Sequence, residues 1–107
     1  MDPLYKSLPA ARWAEADALG RVPEAPVDLQ DGFLHLSDAS QVHETARKHF
    51  AGQTDLVLIA LDPARFTEGT LRWEPSRGGA LFPHVYGAVP LRAVLRVEPL
   101  ESALARL

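Results

Sequence analysis

The chain has 107 residues, of which 47% are hydrophobic and 23% are charged, with a formal net charge of −3 and no cysteine. This length predicts one domain with its own core, residues 1–107. The lack of cysteine excludes disulfides, thiolate catalysis and cysteine-ligated zinc, and the negative charge argues against nucleic-acid binding except through a local basic patch. Because the N-terminus has no signal-peptide pattern and no apolar run reaches the roughly 20 residues of a membrane helix, we expect a cytoplasmic protein without membrane contact.

The N-terminal part of the chain predicts a strand, a helix and a loop. Residues 4–8 form a short strand candidate, and Pro9 precedes an alanine-rich helix candidate, residues 10–19, that ends at Gly20. Residues 21–31 contain two prolines and lead into an Asp-Gly pair, which predicts a loop of about ten residues. Unstructured loops of that length often border a site.

Residues 33–37 have the alternation of a strand. Phe33, His35 and Ser37 fall on one face, and Leu34 and Leu36 fall on the other, because strand side chains repeat every two residues. This pattern predicts a polar face and an apolar face.

The period then changes to that of a helix, with hydrophobic residues at positions 42, 46 and 50. Asp38 and Gln41 have the spacing of a capping box, so we expect the helix to begin between Asp38 and Ser40. A strand that ends in His-x-Ser and continues at once into a helix places two polar groups beside unpaired N–H groups that favour anions. The pattern therefore predicts a ligand site.

The C-terminal half predicts three strands. Residues 56–61 (LVLIAL) form a continuous apolar run, typical of a central strand covered on both faces. Residues 71–74 alternate, with Leu71 and Trp73 expected to point inward, and residues 93–98 form the last strand, followed by a short helical turn. Residues 82–87 (FPHVYG) are expected to be irregular. The element order predicts an α+β domain with a mixed or antiparallel sheet and two helices.

Four histidines raise the question of a metal site. His43 and His49 are not on one face of a helix, and no metal-ligand spacing occurs, so we expect no metal. His35 is interpreted either as a packed histidine bonded to a backbone carbonyl or as a group that binds a ligand or moves a proton. Its neighbour Ser37, which can be a helix cap or a ligand contact, favours function, although no acid is expected to orient His35.

The aromatic segment offers further candidates. Tyr86 can stack on a planar ligand and His84 can bond it, or Phe82 and Tyr86 can close one end of the core. Arg72 and Glu74 favour a solvated face or a cross-strand ion pair, with Glu74 one of few carboxylates near this segment.

Taken together, these motifs resemble the domain of unknown function 952 family from about residue 3 to 99. The resemblance is carried by residues 4–6 (LYK), Trp13 with Gly20, and residues 32–37 (GFLHLS), 41–42 (QV), 56–58 (LVL), 72–74 (RWE) and 82–87 (FPHVYG). It implies an ADP-ribosylation-like fold, a split mixed β-sheet with two main helices and an NAD-binding cleft. Lys6, at a position that is His or Arg in NAD-binding relatives, and His35 would border the nicotinamide-ribose pocket.

The resemblance implies a protein that binds NAD or an ADP-ribosylated ligand without a tightly bound cofactor and, as an enzyme, transfers ADP-ribose or cleaves the nicotinamide–ribose bond. In this hypothesis His35 orients the ligand, Lys6 faces its phosphate and Ser37 contacts it. His84 and Tyr86 cap its base, and Glu74 or Glu98 is the catalytic acid. The alternatives are a non-catalytic binding module with the same cleft and a structural or partner-binding protein. The enzyme requires a carboxylate near His35, whereas the partner-binding protein predicts a cleft that is covered or closed.

Overall fold

The computed structural model describes residues 2–107, apart from the side chains of His49 and Arg77. The described residues form six strands and five short α-helices. In order they are β1 (Leu4–Pro9), α1 (Ala10–Trp13), α2 (Ala16–Leu19), α3 (Pro26–Asp31), β2 (Leu34–His35), α4 (Val42–His49), β3 (Leu56–Leu61), β4 (Leu71–Pro75), β5 (Leu81–Val85), β6 (Val94–Pro99) and α5 (Leu100–Leu104). This composition confirms the α+β class.

The strands form two three-stranded sheets, in the orders β1-β3-β6 and β2-β5-β4. The sheets meet where Tyr5 and Ser37 exchange backbone hydrogen bonds, with N···O distances of 2.8 and 2.9 Å. Every strand pair among the described residues is antiparallel. Of the two alternatives that the element order left open, the antiparallel sheet is confirmed, and the mixed sheet that the resemblance implied is wrong. Parallel pairing needs a long crossover between neighbouring strands. β4 and β5 are instead neighbours in both the chain and the sheet.

The core has two parts, one on each face of the first sheet. Successive strand residues point to opposite faces, so β3 is buried on both sides, as its apolar run predicts. The part between the two sheets includes Leu4, Leu8, Ile59, Leu61, Leu34, Leu36 and Val85. The part against α4 and α5 includes Tyr5, Leu58, Ala60, Val42, Ala46 and Leu100.

Two predicted N-terminal elements differ from the structure. The helix expected over residues 10–19 is interrupted at Ala14 and Glu15 and forms α1 and α2. The segment expected to be a loop, residues 21–31, contains α3. Pro26 is its first residue, where the missing N–H costs nothing, and the side chain of Asp28 accepts a hydrogen bond from the N–H of Ala25 at 2.7 Å. The first turn is thereby stabilised.

Of the segment expected to be irregular, residues 82–87, the first four residues belong to the regular central strand β5. Proline is unusual in such a strand because it cannot donate to a neighbour. The carbonyl of Pro83 accepts from Leu36 N at 3.0 Å, so the position lacking an N–H faces the end of β2, where the pairing with β5 stops. The structure therefore accommodates Pro83 at the end of a ladder.

The capping box and the C-terminal helical turn are confirmed. Asp38 N donates to Gln41 Oε1 and Gln41 N donates to Asp38 Oδ1, both at 3.1 Å. The turn at Asp38 precedes α4, which begins at Val42, later than expected. Two main helices were expected, and among the described helices only α4 reaches eight residues. Trp73, expected to point into the core, is 45% exposed because β4 is an edge strand.

Among residues 2–107, no helix has the length and apolar character needed to cross a membrane.

Candidate functional site

One face of the second sheet carries several of the polar residues predicted for the site. His35 on β2, His84 on β5 and Arg72 on β4 lie side by side in register, so their side chains share a face. The ring of Phe33 lies over both imidazoles, with centroid distances of 4.5 Å to His35 and 4.2 Å to His84. Tyr86 lies 5.0 Å from the same ring, and the two imidazoles are 5.4 Å apart. Two predicted site histidines are therefore direct neighbours.

Two carboxylates hold the ring of His35. Its Nδ1 lies 2.7 Å from Asp28 Oδ1, and its Nε2 lies 2.9 Å from Asp31 Oδ2. A carboxylate only accepts hydrogen bonds, so both contacts form together when both ring nitrogens carry a proton, and the neutral ring keeps one of them. The expectation that no acid orients His35 is wrong. Both acids come from α3, a segment that was expected to be a loop.

Asp28 is a buried hub. It is 2% exposed and accepts from His35 N at 2.9 Å and from Ala25 N, in addition to the imidazole. The ammonium group of Lys6 lies 2.6 Å from Asp28 Oδ2 and donates to the carbonyl of His35 at 3.2 Å. Asp28 thus joins α3, β2 and β1 through charged and polar groups.

The electrostatics of this hub follow from burial and pairing. Burial acts to raise the pKa of Asp28, but the hydrogen bond from His35 and the charge of Lys6 outweigh it, and the pKa lies below its usual range. Burial lowers the pKa of Lys6, against the opposing attraction of Asp28. Asp28 is therefore held as a carboxylate.

A third carboxylate, that of Glu74, contacts His84. Glu74 Oε1 lies 2.8 Å from His84 Nδ1 and accepts from the hydroxyl of Tyr86 at 2.7 Å. The hydrogen bonds from Tyr86 and His84 lower the pKa of Glu74. The hydrogen bond between Tyr86 and Glu74 also raises the pKa of Tyr86. The guanidinium carbon of Arg72 lies 5.4 Å from the centre of the Tyr86 ring. Arg72 and Glu74 therefore belong to a network on the sheet.

A cavity of about 580 Å³ opens beside these groups. Its polar lining comes from Lys6, Ser7, Asp31, His35, Ser37, Thr45, Gln53, Ser76 and His84. Its apolar lining comes from Tyr5, Pro9, Ala25, Pro26, Val27, Leu36, Val42, Phe50, Leu58 and Phe82. A mainly apolar cleft of this volume with a few polar groups is typical of small-molecule sites.

Ser37 lies in this lining but caps no helix. It is 5% exposed, and its hydroxyl oxygen lies 3.0 Å from Thr45 Oγ1 on α4. Ser37 was predicted to be either a helix cap or a ligand contact. Its hydroxyl bonds to Thr45 and caps no helix, so ligand contact stays a prediction. The hydroxyl pair ties β2 to α4 at the wall of the cavity.

The predicted residues divide by position. Lys6, His35, Ser37 and His84 line the cavity, whereas Glu74 and Tyr86 lie behind His84 and are not part of the lining. Glu98 lies elsewhere, on the edge strand β6, where it pairs with Arg96 and Arg106. The bond from Arg106 lowers the pKa of Glu98. The structure does not bring Glu98 to the site.

The functional candidates that the sequence reasoning missed are Asp28, Asp31 and Phe33. A signal was present, because a proline followed two residues later by an acid is typical of a first helical turn, as Pro26 and Asp28 show. Asp31 then follows Asp28 by three residues and lies on a neighbouring part of the same helix. Among the described residues, no group of three His, Cys, Asp or Glu is arranged to hold a metal ion. The side chain of His49 lies outside the described part.

The fold and sequence match known proteins of unassigned function. The model of a family described as "Protein of unknown function (DUF952)" matches residues 7–97. The crystal structure of protein CC0527 from Caulobacter crescentus is 46% identical, with a TM-score of 0.84 over 91% of this chain and 84% of that chain. Its solution NMR structure is also 46% identical, with a TM-score of 0.76 over 92% of this chain and 84% of that chain. No curated protein matches.

Proposed function

The chain belongs to the family described as "Protein of unknown function (DUF952)", and we propose that it binds an NAD-like small molecule and either transfers its ADP-ribose or cleaves its nicotinamide–ribose bond. The observation that carries this proposal is a carboxylate, Asp31, that lines a cavity of about 580 Å³ and lies 2.9 Å from His35. An ADP-ribosylation-like fold is part of the proposal; the division into two linked sheets supports it, while the antiparallel pairing of every described strand differs from the mixed sheet that this fold implies.

The proposed reaction needs a carboxylate near the sugar. When the bond between nicotinamide and ribose breaks, its electron pair leaves with the nicotinamide nitrogen and positive charge develops on the sugar. A preorganised negative charge aimed at that centre lowers the barrier. Asp31 takes this role, since Glu98 lies on β6 and Glu74 lies behind His84.

The remaining roles follow from position. His35 orients the ligand beside Asp31, and Ser37 and His84 contact it, because all three line the cavity. Tyr86 acts on the ligand's base through Glu74 and His84, to which its hydroxyl is connected. Lys6 was expected to contact a phosphate of the ligand. Its ammonium group instead forms an ion pair with Asp28, and this pair stabilises the site.

A titration of NAD followed by backbone amide NMR tests the binding. We expect saturable shifts for residues 33–37 and 82–87, lost in His35→Ala and retained in His43→Ala. His43 is a matched control because its ring bonds to the C-terminal residue Leu107 on another part of the molecule. No shifts at millimolar NAD would exclude NAD as the ligand. An assay for nicotinamide release then separates an enzyme from a binding protein.

A non-catalytic binding module is the second candidate. Both ring nitrogens of His35 already contact carboxylates, at 2.7 and 2.9 Å, so the ring has no nitrogen left for proton transfer until one contact opens. This candidate predicts the same NMR shifts without any nicotinamide release. A partner-binding protein is the third candidate. The described side chains of this chain do not close the cavity, so this candidate requires a partner chain that covers it.

A further inference from the structure

His84 is a buried residue with one ring nitrogen that no described group pairs. The residue is 5% exposed and lines the cavity, and its Nδ1 is bonded to Glu74 at 2.8 Å. Among the described residues, no group bonds to its Nε2. A buried polar atom that is left unpaired costs free energy, and this one is at the wall of an open cavity. The unpaired Nε2 therefore indicates that a ligand in the cavity forms a hydrogen bond with it.

The chemistry of that ligand group follows from Glu74. A carboxylate only accepts, so His84 Nδ1 carries the proton, and in the neutral ring Nε2 is a hydrogen-bond acceptor. The hydroxyl of Tyr86 also donates to Glu74 at 2.7 Å and helps to hold the carboxylate on this side of the ring. The matching ligand group is an N–H or O–H donor.

Asp31 adds a second acceptor at the same end of the cavity. Its carboxylate lies 2.9 Å from His35 Nε2, the imidazole of His35 neighbours that of His84 at 5.4 Å, and the Asp31 side chain is 40% exposed. Among the described lining residues, Lys6 is the basic one, and its ammonium group is paired with the buried Asp28 at 2.6 Å. The net charge of this part of the site is −1 when the imidazole of His35 is neutral and zero when it is protonated, counted over Lys6, Asp28, Asp31 and His35. This end of the cavity therefore does not attract an anion.

We infer that His84 Nε2 and Asp31 together recognise a donor-rich headgroup, a carboxamide or an amidine-like cation, on a planar ring, and discriminate against a carboxylate or phosphate in its place. The rings of Tyr5 and Phe82 in the apolar lining offer surfaces for the planar part. The inference deepens the proposed function and rests on it in using the same cavity.

Three aromatic compounds of nearly the same shape test this inference: benzamidine, benzamide and benzoate, with headgroup charges of +1, 0 and −1. Each is titrated into the wild-type protein, and the shifts of residues 33–37 and 82–87 are followed by NMR. We expect benzamidine to bind about tenfold more tightly than benzoate, with benzamide between them, since hydrogen bonds to charged groups give at least that factor. Equal binding, the reverse order, or no shifts with any compound would overturn the inference.

Two variants locate the effect. Asp31→Asn keeps the shape and removes the charge, and we expect the ratio between benzamidine and benzoate to fall roughly fivefold, as for a partly exposed ion pair. Asp17→Asn makes the same change on α2, at an exposed position outside the cavity, and is expected to leave the ratio unchanged. An unchanged ratio in Asp31→Asn would overturn the role of Asp31.

The result is independent of the NAD titration. If NAD shifts the cavity residues but benzoate binds as tightly as benzamidine, the headgroup inference fails and the proposed function stands. If benzamidine is preferred but NAD causes no shifts, the headgroup inference stands and NAD is not the ligand.

Discussion

Lys6 on β1 and Asp28 on α3 form an ion pair of 2.6 Å whose side chains are only 4% and 1% exposed. The pair lies directly beneath His35, because Lys6 donates to the His35 carbonyl and Asp28 accepts from its backbone and its ring. Buried charges are tolerated only when paired and hydrogen-bonded. The pair therefore couples the folding of α3 to the geometry of the site.

Removing one partner of this pair is expected to destabilise the protein. Asp28→Leu leaves the ammonium of Lys6 buried without its counter-charge, which costs about 3–5 kcal/mol. The double variant Lys6→Met, Asp28→Leu is expected to recover part of that loss, because no charge remains buried. Urea denaturation measures both. In the matched control Lys48→Met, which breaks the exposed pair with Glu44, the free energy of unfolding changes by less than about 0.5 kcal/mol. A loss of that small size in Asp28→Leu would contradict the prediction.

The same carboxylate gives the stability a defined pH dependence. Because the pKa of Asp28 is lowered in the folded state, its contribution is fully present above its unfolded pKa of about 3.9 and is lost as the pH falls through the folded value. The free energy of unfolding, measured between pH 7 and pH 2, is expected to fall less steeply below about pH 4 in Asp28→Asn than in the wild type. Parallel curves for the two proteins would show that Asp28 does not supply this dependence.

Glu74 is expected to control the titration of Tyr86. Its hydrogen bond and negative charge raise the pKa of the Tyr86 phenol, so Glu74→Gln should lower that pKa toward the usual value of about 10. Ultraviolet absorbance at alkaline pH follows the phenolate, and Tyr86→Phe identifies its signal. Glu68→Gln, an exposed change between β3 and β4, is the control and should leave the titration in place. A pKa that stays raised in Glu74→Gln would remove Glu74 as its cause.

If the protein turns over NAD, Asp31 is expected to be the carboxylate that supports the reaction. Asp31→Asn should lower kcat for nicotinamide release by roughly 100-fold, since preorganised electrostatic stabilisation contributes about that much. KM should change less, because the charge acts mainly on the transition state. Asp17→Asn is the control with the same change of charge. A comparable loss of kcat in Glu98→Gln, with Asp31→Asn still active, would instead assign the acid to Glu98.

Local patterns predicted much of the site. The alternation of residues 33–37 separated His35 from the core residues Leu34 and Leu36, and the apolar run of β3 predicted a strand buried on both faces. The reciprocal bonds of Asp38 and Gln41 follow from their spacing. Each of these predictions depends on residues close together in the chain, where periodicity and capping act directly.

The errors arose where distant residues meet. The amide and ring of His35 bond to Asp28 on α3, which the two prolines of residues 21–31 made look like a loop. Trp73 alternates like an inward residue, but β4 is at the edge of its sheet and leaves Trp73 exposed. Alternation shows on which face of a strand a side chain lies. It does not show whether the core covers that face at the residue in question.

By itself, the sequence determined the α+β class, most of the strands and the polar face of residues 33–37 that carries His35, since composition and periodicity are local properties of the chain. Only the tertiary structure placed His84 beside His35 and Tyr86 beside Phe33, and only it decided which carboxylates accompany these residues. It placed Asp28 and Asp31 on His35 and Glu74 on His84, and it left Glu98 with Arg106 on β6. Distances between elements depend on how α3 and the two sheets pack, and that packing is a property of the whole core.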